Sequence, residues 1–204
     1  MCSLYLVRHA ETAPNFSQPA STWPLTEAGR VAASTLAKEI DWETVSLVAS
    51  SPEPKAIETA RALMSPVAYC RFTIMDDLRE LSAPLVKHPD DFRQQLARLF
   101  EGHPETGWEN PERALTRILK AAHAASRSAS PKRAVVVSHG RILTLLVSHL
   151  MRRSPTLTLW EQIAMPDIAR VNLKTSVVER PFGIMISPPA PGTEGKQGRA
   201  GSPQ

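Results

Sequence analysis

Leu4-Tyr5-Leu6-Val7-Arg8-His9-Ala10-Glu11-Thr12 is the stretch on which the fold turns. Four apolar, β-favouring residues in a row predict a strand buried on both faces, as in a parallel sheet covered by helices. The run stops at an arginine beside a histidine. Ligands of open parallel sheets sit outside the carboxyl ends of the strands, so Arg8 and His9 are predicted to project into such a crevice. Ala134-Val135-Val136-Val137 repeats the pattern and leads straight into Ser138-His139-Gly140. Two strands thereby deliver two histidines.

Between these strands the pattern alternates. Ala13 to Trp23 is rich in Pro, Ser and Asn and reads as a loop. Thr26 is placed to cap a helix over Glu27 to Ile40, with Ala28, Val31, Ala32, Leu36 and Ile40 at helical spacing. Val45 to Ala49 reads as a strand, and Ser50-Ser51-Pro52 predicts a cap followed by proline at the first helical position. Further strands are predicted over Tyr69 to Met75, near Ala169 to Leu173 and at Val177-Val178. Helices are predicted from Pro89 to Phe100, from Asn110-Pro111 onward and from Ile142 to Met151. This β, α, β, α order implies right-handed crossovers and an α/β three-layer sandwich, a mainly parallel central sheet flanked by helices.

The landmarks Arg8-His9-Ala10-Glu11-Thr12, Leu25-Thr26-Glu27-Ala28-Gly29, Ser50-Ser51-Pro52 with Ala56-Ile57-Glu58-Thr59-Ala60, Leu78-Arg79-Glu80 and Ser138-His139-Gly140 follow one another over roughly residues 3 to 175. In that order they resemble the histidine phosphatase superfamily, which includes the cofactor-dependent phosphoglycerate mutases and many phosphomonoesterases. The resemblance implies that His9 is the phosphorylated nucleophile and that Glu80 is the acid for the leaving group. It also implies that His139 donates to a phosphoryl oxygen, that Arg8 and Asn15 bind the phosphate, and that backbone N–H groups from Gly140 join the anion site. Two residues depart from the pattern. Ala10 stands where glycine is usual, and Lys55 stands where a second arginine is usual, replacing a bidentate fork with a mobile point charge. Lys55 is either part of the phosphate cradle or a solvated lysine on a helix face.

Phosphoryl transfer through a covalent intermediate needs a nucleophile, positive donors and an acid, and these residues supply all three. The first reading is a phosphatase acting on a phosphomonoester through phosphohistidine. A mutase would use the same residues, but mutases of the family resemble one another over a longer basic insert than Leu81 to Arg133. A non-catalytic phosphate-binding module that kept the pocket is the third reading.

The 24 basic and 20 acidic residues leave a net charge of +4, with no run of basic residues, which argues against a nucleic-acid partner and suits a phosphorylated small molecule, with a phosphoprotein as second choice. Hydrophobic residues make up 42% of the chain, enough for one domain with a real core. That domain is expected over residues 1–186, and 187–204, made of Pro, Gly, Ser and Lys, is expected to be a disordered tail. Cys2 and Cys70 read as free thiols, no apolar run reaches the length of a signal peptide or a membrane span, and the cytoplasm is the expected compartment. His88, His103, His123 and His149 lack metal-ligand spacing, so no metal or other cofactor is expected. The oligomeric state is left open.

Overall fold

The computed structural model describes residues 3–183, apart from 66, 68 and 87. Six strands form one sheet in the order β3-β2-β4-β1-β5-β6. These are β1 (Ser3–Arg8), β2 (Val45–Ser50), β3 (Arg71–Ile74), β4 (Arg133–Ser138), β5 (Asp167–Asn172) and β6 (Val177–Arg180). The first four run parallel, β5 is antiparallel to β1, and β6 is antiparallel to β5. Helices α1 (Glu27–Leu36), α2 (Pro54–Met64), α3 (Pro89–Phe100), α4 (Pro111–Ala129), α5 (Gly140–Leu150) and α6 (Leu157–Gln162) complete the fold. It is the three-layer α/β architecture expected.

Strand alternation builds the two cores. Leu4 and Leu6, with Ala134 and Val136, pack against α3, α4 and α5, while Tyr5 and Val7, with Val135 and Val137, pack against α2 and the segment after α1. A side chain on either face of β1 therefore meets a helix, which is why its sequence is apolar without interruption. No helix among the described residues is long and apolar enough to cross a membrane.

Several boundaries move. Helix α2 starts at Pro54 with Glu53 as its N-cap, not at Pro52, because the Ser51 N–H still donates to Val137 O at 3.0 Å and holds the chain extended. α5 starts two residues early, at Gly140. Strand β3 is shorter than Tyr69 to Met75, and α1 ends at Leu36 with a 3₁₀ turn carrying the chain to Glu39. The six-residue α6 was not anticipated. Asn110 caps α4 through Glu112 N–H and Arg113 N–H, as its position before Pro111 suggests. Cys70 is a free thiol, while Cys2 and the predicted tail lie outside the described residues.

The Leu25 to Gly29 landmark has a structural role. Thr26 Oγ1 accepts from Gly29 N–H at 2.9 Å and donates to Glu11 Oε2 at 2.8 Å, and Thr26 N–H donates to Glu11 O at 3.0 Å. These bonds press the chain just beyond His9 onto α1. A Cβ at Gly29 would lie 2.4 Å from Glu11 O, a backbone atom with no freedom to swing away. Helix propensity alone predicts that Gly29→Ala stabilises by about 1 kcal/mol. The close approach reverses the sign, and a net loss of about 1–2 kcal/mol is expected in urea unfolding. A stabilised variant would show that this contact does not constrain the loop.

Candidate active site

The carboxyl ends of β1, β2 and β4 lie side by side. Arg8 pairs with Ser138 across β1 and β4, and the His9 N–H donates to Ser138 O at 3.0 Å, so the pairing extends one residue past the strand. His9 and His139 follow these neighbouring ends, with ring centroids 5.1 Å apart. Both are buried, at 7% and 0% exposure.

His9 Nδ1 lies 2.8 Å from Ala10 O, an acceptor only, so Nδ1 carries the proton and Nε2 keeps a lone pair. Ala10 is held in turn, because its N–H donates to Thr59 Oγ1 at 3.0 Å and Thr59 donates to Lys55 O at 2.7 Å. Thr59, from the landmark on α2, thus sets the carbonyl that sets the His9 ring. Burial lowers the His9 pKa from 6.5 to about 3, with Lys55 and Arg8 adding to the effect. His139 is pushed well below 6.5, first by burial and then by the charges around it. Both imidazoles are neutral near pH 7. His139 Nε2 lies 2.7 Å from Ser51 Oγ, and its buried Nδ1 has no hydrogen-bond partner among the described residues.

Arg8 is 9% exposed and stacks over Trp160, its Cζ 5.6 Å from the ring. Its Nη1 donates to Ile163 O, while its buried Nε has no partner among the described residues. Gly140 makes room for this arginine. A Cβ there would meet Trp160 Nε1 at 2.9 Å and Arg8 Cζ at 3.0 Å.

Lys55 does not sit on a solvated helix face. It is 5% exposed, its Nζ lies 2.6 Å from Glu53 Oε2, and it donates to Ala20 O at 2.6 Å. The ammonium ties the Ala13 to Trp23 loop to the start of α2. Glu53, which the sequence reading passed over, is 8% exposed, and its Oε1 lies 3.4 Å from His139 Nε2 while accepting from Glu80 N–H at 2.8 Å.

Glu80, Gly140 and Asn15 have contacts that the sequence did not suggest. Glu80 lines the cavity, but its carboxylate caps α5, with Oε1 accepting from Ile142 N–H at 3.0 Å and Leu81 N–H at 2.8 Å, and Oε2 from Arg141 N–H at 3.1 Å. Burial raises its proton affinity, yet the Arg141 charge, with Nε at 3.2 Å, and these N–H donors outweigh that and hold the pKa below its ordinary value. Glu80 therefore rests as a carboxylate, held by one guanidinium and three backbone donors. The same contacts occupy the N–H groups of Arg141 and Ile142, so the α5 turn opened by Gly140 offers an incoming anion fewer donors than expected. Asn15 is exposed, and its Oδ1 accepts from Ser17 N–H at 3.1 Å and Ser17 Oγ at 2.6 Å, a local turn that keeps it off the cavity wall.

Arg117 and Arg141, both distant in sequence from the first histidine, support this floor. Arg117 donates to Asp77 O, Arg79 O and Glu80 O at 2.9, 2.7 and 3.0 Å and is neutralised by Glu109 at 2.8 Å. Arg141 packs against the edge of the stacked Phe92–Trp108 pair, 5.6 and 5.4 Å from the two centroids, which are themselves 6.1 Å apart. His88, His103, His123 and His149 are on the surface. Among the described residues no cluster of three His, Cys, Asp or Glu could hold a metal ion.

A model of the histidine phosphatase superfamily (branch 1) matches residues 4–176. The fold is similar to Bacillus stearothermophilus YhfR, 24% identical over 87% of this chain and 95% of that one, with a TM-score of 0.70. It is also similar to the Entamoeba histolytica phosphoserine phosphatase in complex with 3-phosphoglyceric acid, 18% identical over 88% of this chain and 96% of that one, TM-score 0.66. A putative alpha-ribazole-5'-P phosphatase from Escherichia coli is 23% identical over 88% of this chain and 95% of that one, TM-score 0.64. No curated protein matches the chain. With the family match running from the first strand to the turn after the fifth, and with both histidines at adjoining strand ends, the chain belongs to the histidine phosphatase superfamily.

Proposed function

We propose that this protein is a phosphomonoesterase in which His9 carries the phosphoryl group. The observation behind this reading is the bond from His9 Nδ1 to Ala10 O, 2.8 Å long, which leaves Nε2 as a neutral nucleophile beside a second buried imidazole. Relatives described as phosphoserine and alpha-ribazole-5'-P phosphatases favour hydrolysis over mutase chemistry. Retention of the buried ionic and histidine machinery favours turnover over a binding module. A phosphorylated small molecule in the cytoplasm is the working substrate of this proposal.

His9 Nε2 attacks phosphorus as the bond to the alcohol oxygen breaks, and that oxygen takes a proton from a carboxyl group. Water then attacks the phosphohistidine, its proton passes to the carboxylate, and cleavage of the P–N bond frees phosphate and neutral His9. Arg8 Nε and His139 Nδ1, both buried without partners, supply donors to the phosphoryl oxygens. Glu53 is the better acid. An entering phosphate competes for Lys55 and Arg141; Glu53 then loses the ammonium 2.6 Å away and keeps one backbone donor, whereas Glu80 keeps the N–H groups of Leu81, Arg141 and Ile142. A monoanionic ester, with a second pKa of about 6, brings the proton with it.

Acid-labile label from a ³²P-phosphomonoester is expected on the parent and absent from His9→Ala; label persisting on another residue overturns the assignment. Glu53→Gln is expected to slow alkyl phosphates about 100-fold or more while p-nitrophenyl phosphate, whose leaving oxygen needs little protonation, changes far less. If Glu80→Gln shows that dependence on the leaving group instead, Glu80 is the acid. A neutral buried His9 also has a stability signature. Its pKa is 6.5 when unfolded and about 3 when folded, so below pH 6.5 only the unfolded chain binds the proton and acid destabilises the fold. Between pH 6.5 and 5 this amounts to about 2 kcal/mol from His9, with His139 acting in the same direction. Urea titrations at pH 7, 6 and 5 should show that loss, and His9→Asn should flatten it. An equal slope in both proteins would contradict the neutral nucleophile.

A further inference from the structure

We propose that the cavity beside His9 selects phosphomonoesters of apolar, chain- or ring-bearing alcohols over esters whose alcohol carries a carboxylate; this rests on the phosphatase reading above. The cavity has a volume of about 900 Å³, several times what a phosphoryl group needs, so most of it is left for the leaving group. Its floor is made by Glu53, Lys55, Glu80 and Arg141, and Glu53, with Oε1 3.4 Å from His139 Nε2, separates it from the buried histidine pair, which does not itself line it. Above that floor the walls come from the Ala13 to Trp23 loop, the segment 81–86 and helices α3 and α6, and they present Phe16, Trp23, Leu85, Val86, Phe92 and Trp160.

Two observations point to an apolar occupant. Phe16 and Leu85 remain 62% and 46% exposed, and both line this cavity. An apolar alcohol seated there would cover them. The charges give the second argument. Each cation lining the cavity among the described residues already has a carboxylate partner: Lys55 with Glu53 at 2.6 Å, Arg79 with Asp76 at 3.0 Å, Arg141 with Glu80 at 3.2 Å, and Arg93 with Glu161. The phosphoryl group can displace the two pairs on the floor. A second anion on the alcohol would find only Arg79 and Arg93, already paired in exposed positions where an ion pair is worth little, while the ring and aliphatic surface around it offers no donor.

The test is a series of straight-chain alkyl phosphates from ethyl to hexyl, whose leaving oxygens are chemically alike, compared with phosphoserine and 3-phosphoglycerate. Expected is a rise in kcat/KM of about threefold per methylene, the hydrophobic increment for a buried CH₂, with hexyl phosphate at least about 30-fold above phosphoserine. Leu85→Asn and Phe16→Ser should each flatten the dependence on chain length. A flat series, or preference for phosphoserine or 3-phosphoglycerate, overturns the inference while leaving the phosphatase reading intact. No turnover of any ester, p-nitrophenyl phosphate included, by the folded protein overturns the phosphatase reading. In that event calorimetry of hexyl against ethyl phosphate decides the cavity: tighter hexyl binding supports apolar selection, and equal or absent binding overturns it.

Discussion

Everything at the site depends on β1 and β4 lying next to each other in parallel register. Neighbouring strands are about 4.8 Å apart, and two residues leaving the same edge of such a pair inherit that spacing. His9 and His139 have it, at 5.1 Å between rings. Since the His9 N–H continues the ladder to Ser138 O and the Ser51 N–H continues it to Val137 O, the backbone of these two site residues is held by sheet bonds, not loop bonds. The imidazoles are preorganised by the cheapest rigid frame a chain can build.

That frame is loaded with buried charge, and the sequence spreads the countercharges over distant segments. Arg117 on α4 closes against Glu109 while holding three carbonyls of the turn that ends at Glu80. Glu80 then neutralises Arg141 and the helix end beneath it, and Glu53 neutralises Lys55. Breaking a buried pair strands a charge and costs about 3–5 kcal/mol, so these links are structural before they are chemical. The substitution of lysine for the family's usual arginine belongs here. A point charge can serve Glu53 and Ala20 O together and still swing toward phosphate, which a planar fork held at two points does less readily.

The parts legible in the sequence are those governed by local physics. β1 and β4 announce themselves because each is buried on both faces, and α3 and α4 because proline opens each and an apolar stripe follows. Pro52 and Pro54 both fit a first helical turn, and only the Ser51 bond to Val137, a partner 86 positions away in the numbering, chooses between them. Helix α6 buries only Leu159, too little for a periodic signal, although Thr156 does cap it. Glu80 could be found by its place in the motif, but its role as a cap for α5 comes from spatial neighbours 61 and 62 residues on. Asn15 fails for the opposite reason. Short-range bonds from Ser17 to its Oδ1 set its orientation within the loop.

The packing of Arg141 against the stacked Phe92 and Trp108 rings has a consequence for how such a site can diverge. The walls of the cavity are not equally free to change. The Ala13 to Trp23 side touches the reactive floor through one lysine, so its residues can be exchanged and the catalytic groups left in place. On the α3 side, the aromatic ring that shapes the wall also packs against the guanidinium that pairs with Glu80. A lineage that recruits new substrates by altering Phe92 also disturbs the packing of Arg141 beside Glu80, whereas one that alters the opposite loop changes the wall and leaves that ion pair in place.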